Sequence, residues 1–228
     1  MQRLAGPPAF LFDLDGTLVD SVYQHVMAWQ EALSNCGISL SVWRIHRRIG
    51  MSGGLFLSAL QRETGLTFDP ATLGVLAEGH REGYLRRASS LSALPGANEL
   101  LSVLAARGAP FAIATSSSGT VAAAGLALLD LPAGVPVVTR DQVERAKPDP
   151  DLFLAAAGRL GVSLTGCFVV GDSVWDLLAA QRAGALGIGL LSGGYGQQEL
   201  EAAGAYRVYN DPADLLAHIE EAGVRPPA

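Results

Sequence analysis

Cysteine is scarce in this chain: Cys36 and Cys167 are the only two in 228 residues, far apart and in no metal-ligand spacing. That excludes a disulfide framework and predicts a reduced, cytoplasmic protein. Basic charge is also in short supply. Sixteen Lys and Arg stand against 22 Asp and Glu, a net charge of −6, which leaves no electrostatic footprint for nucleic acid or an anionic membrane. The longest candidate membrane segment, 121–138, is broken by Asp130, Pro132 and Pro136 and reads as soluble core and loop. Asp13 and Asp15 interrupt the only early apolar run, so no signal segment is expected. Repeats and low-complexity tracts are absent. So is a glycine-rich phosphate loop with its lysine, which argues against nucleotide binding of that kind.

What is present is apolar mass: 49% of residues are hydrophobic and 17% charged. That suffices for one large domain, or for a domain plus a smaller insert. The most informative stretch is Phe10-Leu11-Phe12-Asp13-Leu14-Asp15-Gly16-Thr17-Leu18. An apolar run that reads as a buried strand ends in two aspartates spaced i, i+2, which therefore point the same way. Gly16 permits a sharp turn. Carboxylates held that close hold a cation between them, or one of them keeps a proton. A plain strand end with an Asp-Gly turn accounts for the stretch equally well.

After Leu18 the pattern is helical. Asp20 or Ser21 can cap a helix over 22–35, with Val22, Val26, Trp29 and Leu33 at helical spacing. Further helices are predicted over 41–48, 55–63 and, from the Asp69-Pro70 cap, 70–87. The segment 21–90 offers no strand. Beyond it strands and helices alternate: helix 97–106, strand 111–115, helix 121–129, strand 137–139, a helix capped by Asp149-Pro150 and stopped at Gly161, strand 167–171, a helix to Arg182, strands 186–191 and 206–209, and a last helix from Asp211-Pro212 to Glu221. The tail at 225–228 is expected to fray. Alternation implies an α/β fold with a central parallel sheet covered on both faces. The helical block interrupts it, which predicts a core of 1–18 and 91–228 with an inserted helical subdomain at 19–90.

Ligands of open α/β sheets sit at the carboxyl ends of strands, and the polar residues there form one set. Asp13 and Asp15 follow the first strand. Thr115, Ser116, Ser117 and Ser118 follow the second, Lys147-Pro148 the third, and Gly171-Asp172-Ser173-Val174-Trp175-Asp176 the fourth. Carboxylates from two strands suit a hard divalent cation such as Mg²⁺. A lysine and hydroxyls beside them suit a phosphoryl group. Singly, Asp172 reads as a helix cap, Lys147 as a loop lysine and Thr115 as a turn residue. Four strand ends together favour catalysis.

In this order the motifs Asp13-Leu14-Asp15-Gly16-Thr17, Thr115-Ser116, Lys147-Pro148 and Gly171-Asp172-Ser173 with Asp176 resemble the haloacid dehalogenase-like phosphohydrolase superfamily. The likeness covers nearly the whole chain. It implies a Rossmann-like core and a helical-bundle cap inserted after the first motif. It further implies Asp13 as a nucleophile forming an aspartyl-phosphate, and Asp15 as general acid and then base. Thr115 and Lys147 would hold the phosphoryl group, with Ser116 and Ser117 beside it. Mg²⁺ would be bound by the Asp13 and Asp172 carboxylates and the Asp15 carbonyl. Asp176 would be an alternative ligand or orient Lys147, and Gly16 and Thr17 would shape the turn that couples cap closure to the site.

In the cap, Asp20, His25, Ala28 and Trp29 match a run of the family's phosphoglucomutase members. His25 therefore either assists at the substrate or is a polar, solvent-facing helix residue. Trp29 reads as core. The basic run 43–50 reads as a solvated helix face, and, if any arginine turns inward, Arg47 or Arg48 is the candidate substrate contact. Gly53 stands where the mutases carry a phosphate-holding arginine, and Gly171-Asp172 where they often carry Glu-Asp. Asp15 supplies the second aspartate that dehalogenases generally lack. The expected activity is thus Mg²⁺-dependent hydrolysis of a small phosphorylated metabolite, of phosphoglycolate or sugar-phosphate type, by a monomer or homodimer. The alternatives are a β-phosphoglucomutase-like isomerase and a phosphoryl-binding module without turnover.

Overall fold

The computed structural model describes residues 7–225; of the tail expected to fray, 226–228 lie outside them. In chain order the strands are β1 (Ala9–Phe12), β2 (Val19–Asp20), β3 (Ser92–Ala93), β4 (Phe111–Ala114), β5 (Val137–Val138), β6 (Cys167–Gly171), β7 (Leu186–Leu190) and β8 (Ala205–Tyr209). The α-helices are α1 (Val22–Asn35), α2 (Val42–His46), α3 (Gly53–Thr64), α4 (Pro70–Arg86), α5 (Ala97–Ala106), α6 (Gly119–Leu126), α7 (Asp151–Leu160), α8 (Val174–Ala183), α9 (Gln197–Ala202) and α10 (Pro212–Ala217).

Six strands form one parallel sheet in the order β5-β4-β1-β6-β7-β8. β1 is buried throughout, as a strand covered on both faces must be. Phe10 and Phe12 pack on one face with Leu100 and Leu101 of α5, Val121 of α6 and Leu215 of α10. Leu11 packs on the other with Leu152 and Phe153 of α7 and Ala179 of α8. Each such side chain contributes about 1.5–3 kcal/mol on full burial. The strand order runs outward from β1 in both directions, so a crevice opens at the carboxyl ends of β1, β4 and β6.

Helices α1–α4 lie between β2 and β3 and carry their own core: Val22, Val26, Trp29 and Leu33 of α1 with Ile45, Phe56, Leu60 and Leu76. α1 and α4 approach closely because small residues face each other. A Cβ on Gly79 would lie 3.2 Å from Ala32, and one on Gly83 3.3 Å from Ala28.

Beyond shifts at the ends of elements, four details differ from the sequence reading. β2 and β3 pair antiparallel, Val19 with Ala93 and Asp20 with Ser92, so a two-stranded ribbon joins the helical insert to the sheet. Pairs this short carry no periodicity to read. α9 was not anticipated. Asp149 does not cap α7, whose N-cap is Pro150; its carboxylate instead faces Arg182 at 3.6 Å. Ser21 is the N-cap of α1 but makes no capping bond, because its hydroxyl is used in the site described next.

Candidate active site

The strand ends place two aspartates in different surroundings, although both leave the same strand. Asp13 is 2% exposed and its backbone N–H continues the ladder to the Val170 carbonyl at 2.8 Å. Its carboxylate pairs with Lys147, which also reaches Asp176 Oδ1 at 2.8 Å. Lys147 is the chain's sole lysine and is fully buried. Oxygen atoms of Asp13, Asp172 and Asp176 lie within 4.8 Å of one another. Asp172 accepts a hydrogen bond from Thr17 Oγ1 at 2.9 Å, and Gly16 packs directly against it: a Cβ there, at φ +82°, would lie 2.4 Å from Asp172 Oδ2. Asp176 accepts from the Ser173 hydroxyl at 2.5 Å. Asp172 is thus not the cap of α8; Ser173 is.

The electrostatics of this cluster are those of a cation site short of positive charge. Burial raises the pKa of Asp13, Lys147 lowers it, and Asp176 and Asp15 raise it further; the net is well above the usual carboxylate range. Asp172 moves up as well, by burial and then by Asp176 and Asp13. Burial would discharge Lys147, but Asp13 and Asp176 outweigh it and hold the ammonium above the ordinary lysine value. Fully ionised, three buried carboxylates against one ammonium would leave two negative charges, and the upward shifts of Asp13 and Asp172 register that excess. That oxygen-only set fits a hard divalent cation.

Asp15 sits apart from the triad. Its Oδ1 accepts from Ser21 Oγ at 2.7 Å and faces His25 Nε2 at 3.2 Å; Tyr84 OH lies 3.5 Å away. Its Oδ2 accepts from Ser117 Oγ at 2.9 Å and Thr115 Oγ1 at 3.3 Å. Burial would raise its pKa, but His25, Ser21 and Ser117 outweigh that and hold the carboxyl well below the usual range. The two aspartates therefore differ in proton affinity, Asp13 pushed up and Asp15 pushed down, although they leave the same strand.

His25 is not the solvent-facing residue that one reading allowed. It is 5% exposed, and its Nδ1 lies 3.0 Å from His80 Nε2. Rings from three helices stack in series toward Asp15: Phe56 on Trp29, Trp29 on His80, His80 on His25 and His25 on Tyr84, with centroids 4.4, 4.2, 5.2 and 4.0 Å apart. Sequence reasoning missed Ser21, His80 and Tyr84. A signal was available for the last two: an i, i+4 pair, each preceded by a glycine, repeating the spacing of His25 and Trp29.

A cavity of about 620 Å³ opens beside the strand ends, lined by Asp13, Asp15, His25, Thr115, Ser116 and Ser117 and, from the helical insert, by Trp29, Arg48 and Gly53 among others. The Ser116 hydroxyl is buried and has no partner among the described residues. Arg47 does not line this cavity. It pairs with Glu199 and stacks over Tyr195, 4.1 Å from the ring centroid, while its carbonyl accepts from Tyr195 OH at 2.9 Å. The basic run thus joins the insert to the core at Arg47 and lends one charged residue, Arg48, to the cavity.

A Rossmann-like sheet whose switch point holds an acidic triad, a buried lysine and a helical insert over the opening defines a capped α/β hydrolase. The haloacid dehalogenase-like hydrolase profile matches residues 7–184, and the chain belongs to that family. Hexitol phosphatase A of Escherichia coli is 36% identical over 177 residues, 77% of this chain and 79% of that protein. A phosphoglycolate phosphatase of Rhodospirillum rubrum is 33% identical over 218 residues, 92% of this chain and 89% of that protein. The crystal structure of a hydrolase from Pseudomonas syringae superposes with a TM-score of 0.92 at 52% identity, covering 94% of this chain and 98% of that one.

Proposed function

We propose that the chain is a Mg²⁺-dependent phosphatase, a phosphoric monoester hydrolase that acts on small phosphorylated metabolites of the phosphoglycolate or sugar-phosphate type. One observation carries the reading. Asp13 is at once a member of the acidic triad, the partner of the only lysine, and part of the cavity wall. A carboxylate so placed can reach a phosphorus atom whose oxygens are neutralised on the other side.

The Asp13 and Asp172 carboxylates, with the Asp15 carbonyl, would hold Mg²⁺, which when bound offsets the charge of the phosphoryl oxygens. Asp176 would steer Lys147. Lys147, Thr115 and the free Ser116 hydroxyl would grip the phosphoryl group, with Ser117 beside it. An Asp13 oxygen attacks phosphorus and the P–O bond to the alcohol breaks; Asp15 gives the departing oxygen its proton. In the second half water attacks the aspartyl-phosphate, Asp15 takes the water's proton, and the P–O bond to Asp13 breaks. Asp15 is held ionised, the form the second half requires. For the first half it must take up a proton, and the His25 ring faces it at 3.2 Å.

Hydrolysis is favoured over a mutase reaction because Gly53, which lines the cavity, stands where the resemblance to the mutases would call for a phosphate-holding arginine. A non-catalytic module would need a broken site, and Asp13, Asp15, Thr115, Lys147 and Asp172 are all in place. The test is phosphate release from p-nitrophenyl phosphate. Turnover should require Mg²⁺, stop with EDTA, and vanish in Asp13→Asn; turnover that persists without a metal would remove the reading. Conversion of β-glucose 1-phosphate to glucose 6-phosphate without phosphate release would establish the mutase instead.

A further inference from the structure

The helical insert lines the cavity with Trp29, Met51, Phe56, Leu57 and Leu73, and with the polar Ser58, Gln61 and Glu78. Three arginines also line the cavity, and each has a partner within the chain. Arg81 donates from Nε to Glu78 of its own helix at 2.8 Å. Arg140 donates to the Val143 carbonyl at 2.7 Å, and its backbone N–H bonds the Ser117 carbonyl at 3.0 Å, which sets it at the phosphoryl end. The Arg48 guanidinium is engaged within the chain: Nη1 donates to the Arg44 carbonyl at 2.5 Å and Nη2 pairs with Glu63. Glu63 does not line the substrate cavity. It stands behind the wall, in an adjacent cleft of about 490 Å³ that Arg48 also borders, and it binds Arg44 as well.

We propose that Glu63 determines substrate charge specificity. By holding the Arg48 guanidinium in an ion pair it leaves the cavity without a free arginine, so the enzyme selects phosphate monoesters with an uncharged alcohol of several carbons over short esters that carry a carboxylate. The proposal rests on the phosphatase reading above. A carboxylate taken into an apolar wall without a cation loses its hydration uncompensated. The volume agrees: at about 30 Å³ per water, the cavity has room for roughly twenty water-sized groups, far more than a two-carbon ester fills. Ring faces and aliphatic side chains suit the C–H face of a polyol or sugar. Glu63 also holds two guanidiniums side by side. Once its charge is gone, Arg44 and Arg48 repel, and the Arg48 guanidinium, which borders the cavity, is released to pair with an anion there.

The experiment compares kcat/KM for sorbitol 6-phosphate and phosphoglycolate, with p-nitrophenyl phosphate turnover reporting on intact chemistry. The wild type should prefer sorbitol 6-phosphate at least tenfold. Glu63→Gln should narrow that ratio about tenfold, mainly through a lower KM for phosphoglycolate, while Glu63→Asp keeps the wild-type ratio and Arg48→Gln added to Glu63→Gln restores it. A wild-type preference for phosphoglycolate, or an unchanged ratio in folded Glu63→Gln, overturns the proposal and leaves the phosphatase reading standing. If Glu63→Gln does not fold, Arg48→Gln alone decides. A ratio within about twofold of wild type supports the proposal, and a tenfold loss on phosphoglycolate overturns it, since Arg48 would then already hold that carboxylate. Failure of folded, Mg²⁺-supplied wild type to hydrolyse any of the three esters overturns both readings.

Discussion

Replacing Lys147 by Met isolates the charge balance on which the site depends. The side chain is fully buried, and Met keeps most of its volume while removing the ammonium. At an effective dielectric constant of about 20, the 2.8 Å contact with Asp176 alone is an attraction of roughly 6 kcal/mol, and Asp13 adds a second. Most of that attraction offsets the cost of taking the ions out of water. What the substitution exposes is the remainder, because three carboxylates are left in one buried cluster with no positive charge. Removing one partner of a buried pair typically costs about 3–5 kcal/mol, a large share of a domain stability of about 5–15 kcal/mol. Protonation of the carboxyls limits the loss. Equilibrium unfolding in urea with EDTA present should show the midpoint falling at an unchanged m-value. Saturating Mg²⁺ should then stabilise the variant more than the wild type, as the ion meets a more negative site. A loss below about 1 kcal/mol in EDTA would refute the reasoning, since it would mean that the carboxylates do not need the ammonium.

Two further expectations concern the join between the helical insert and the core. Burial, then the neighbouring His25, hold the His80 pKa well below its usual value, against the opposing pull of Asp15. The unfolded chain takes up that proton near pH 6.5, so stability is complete above this pH and falls below it, by at most about 1.4 kcal/mol per pH unit. His80→Gln should flatten the dependence between pH 5 and 7 in chemical denaturation; parallel slopes for the two proteins would contradict the assignment. At Gly50, φ is +99° and a Cβ would lie 2.6 Å from Ser173 Oγ, the hydroxyl that anchors Asp176. Gly50→Ala should therefore cost about 1–3 kcal/mol and lower aryl phosphate turnover, seen together as a drop in Tm and in kcat/KM; wild-type values of both would show that the contact yields freely.

The sequence by itself determined the alternation of strands and helices, the break in it after Leu18, and the gathering of Asp13, Thr115, Lys147 and Asp172 at one edge of the sheet. These follow from local periodicity and from the rule that parallel strands end on the same side, so no long-range information was needed. The structure alone decided where each side chain turns once there. Asp13 and Asp15 leave one strand with the same expected direction, yet one joins Lys147 and the other joins Ser21, His25 and Ser117. The ribbon of Val19–Asp20 with Ser92–Ala93, the approach of His80 and Tyr84 to Asp15, and the turning of Arg47 to Glu199 and of Arg48 to Glu63 were likewise hidden. Each is a pairing between residues distant in the chain, chosen by charge and space available only after the helices pack, and no periodicity in one segment records the partner waiting in another.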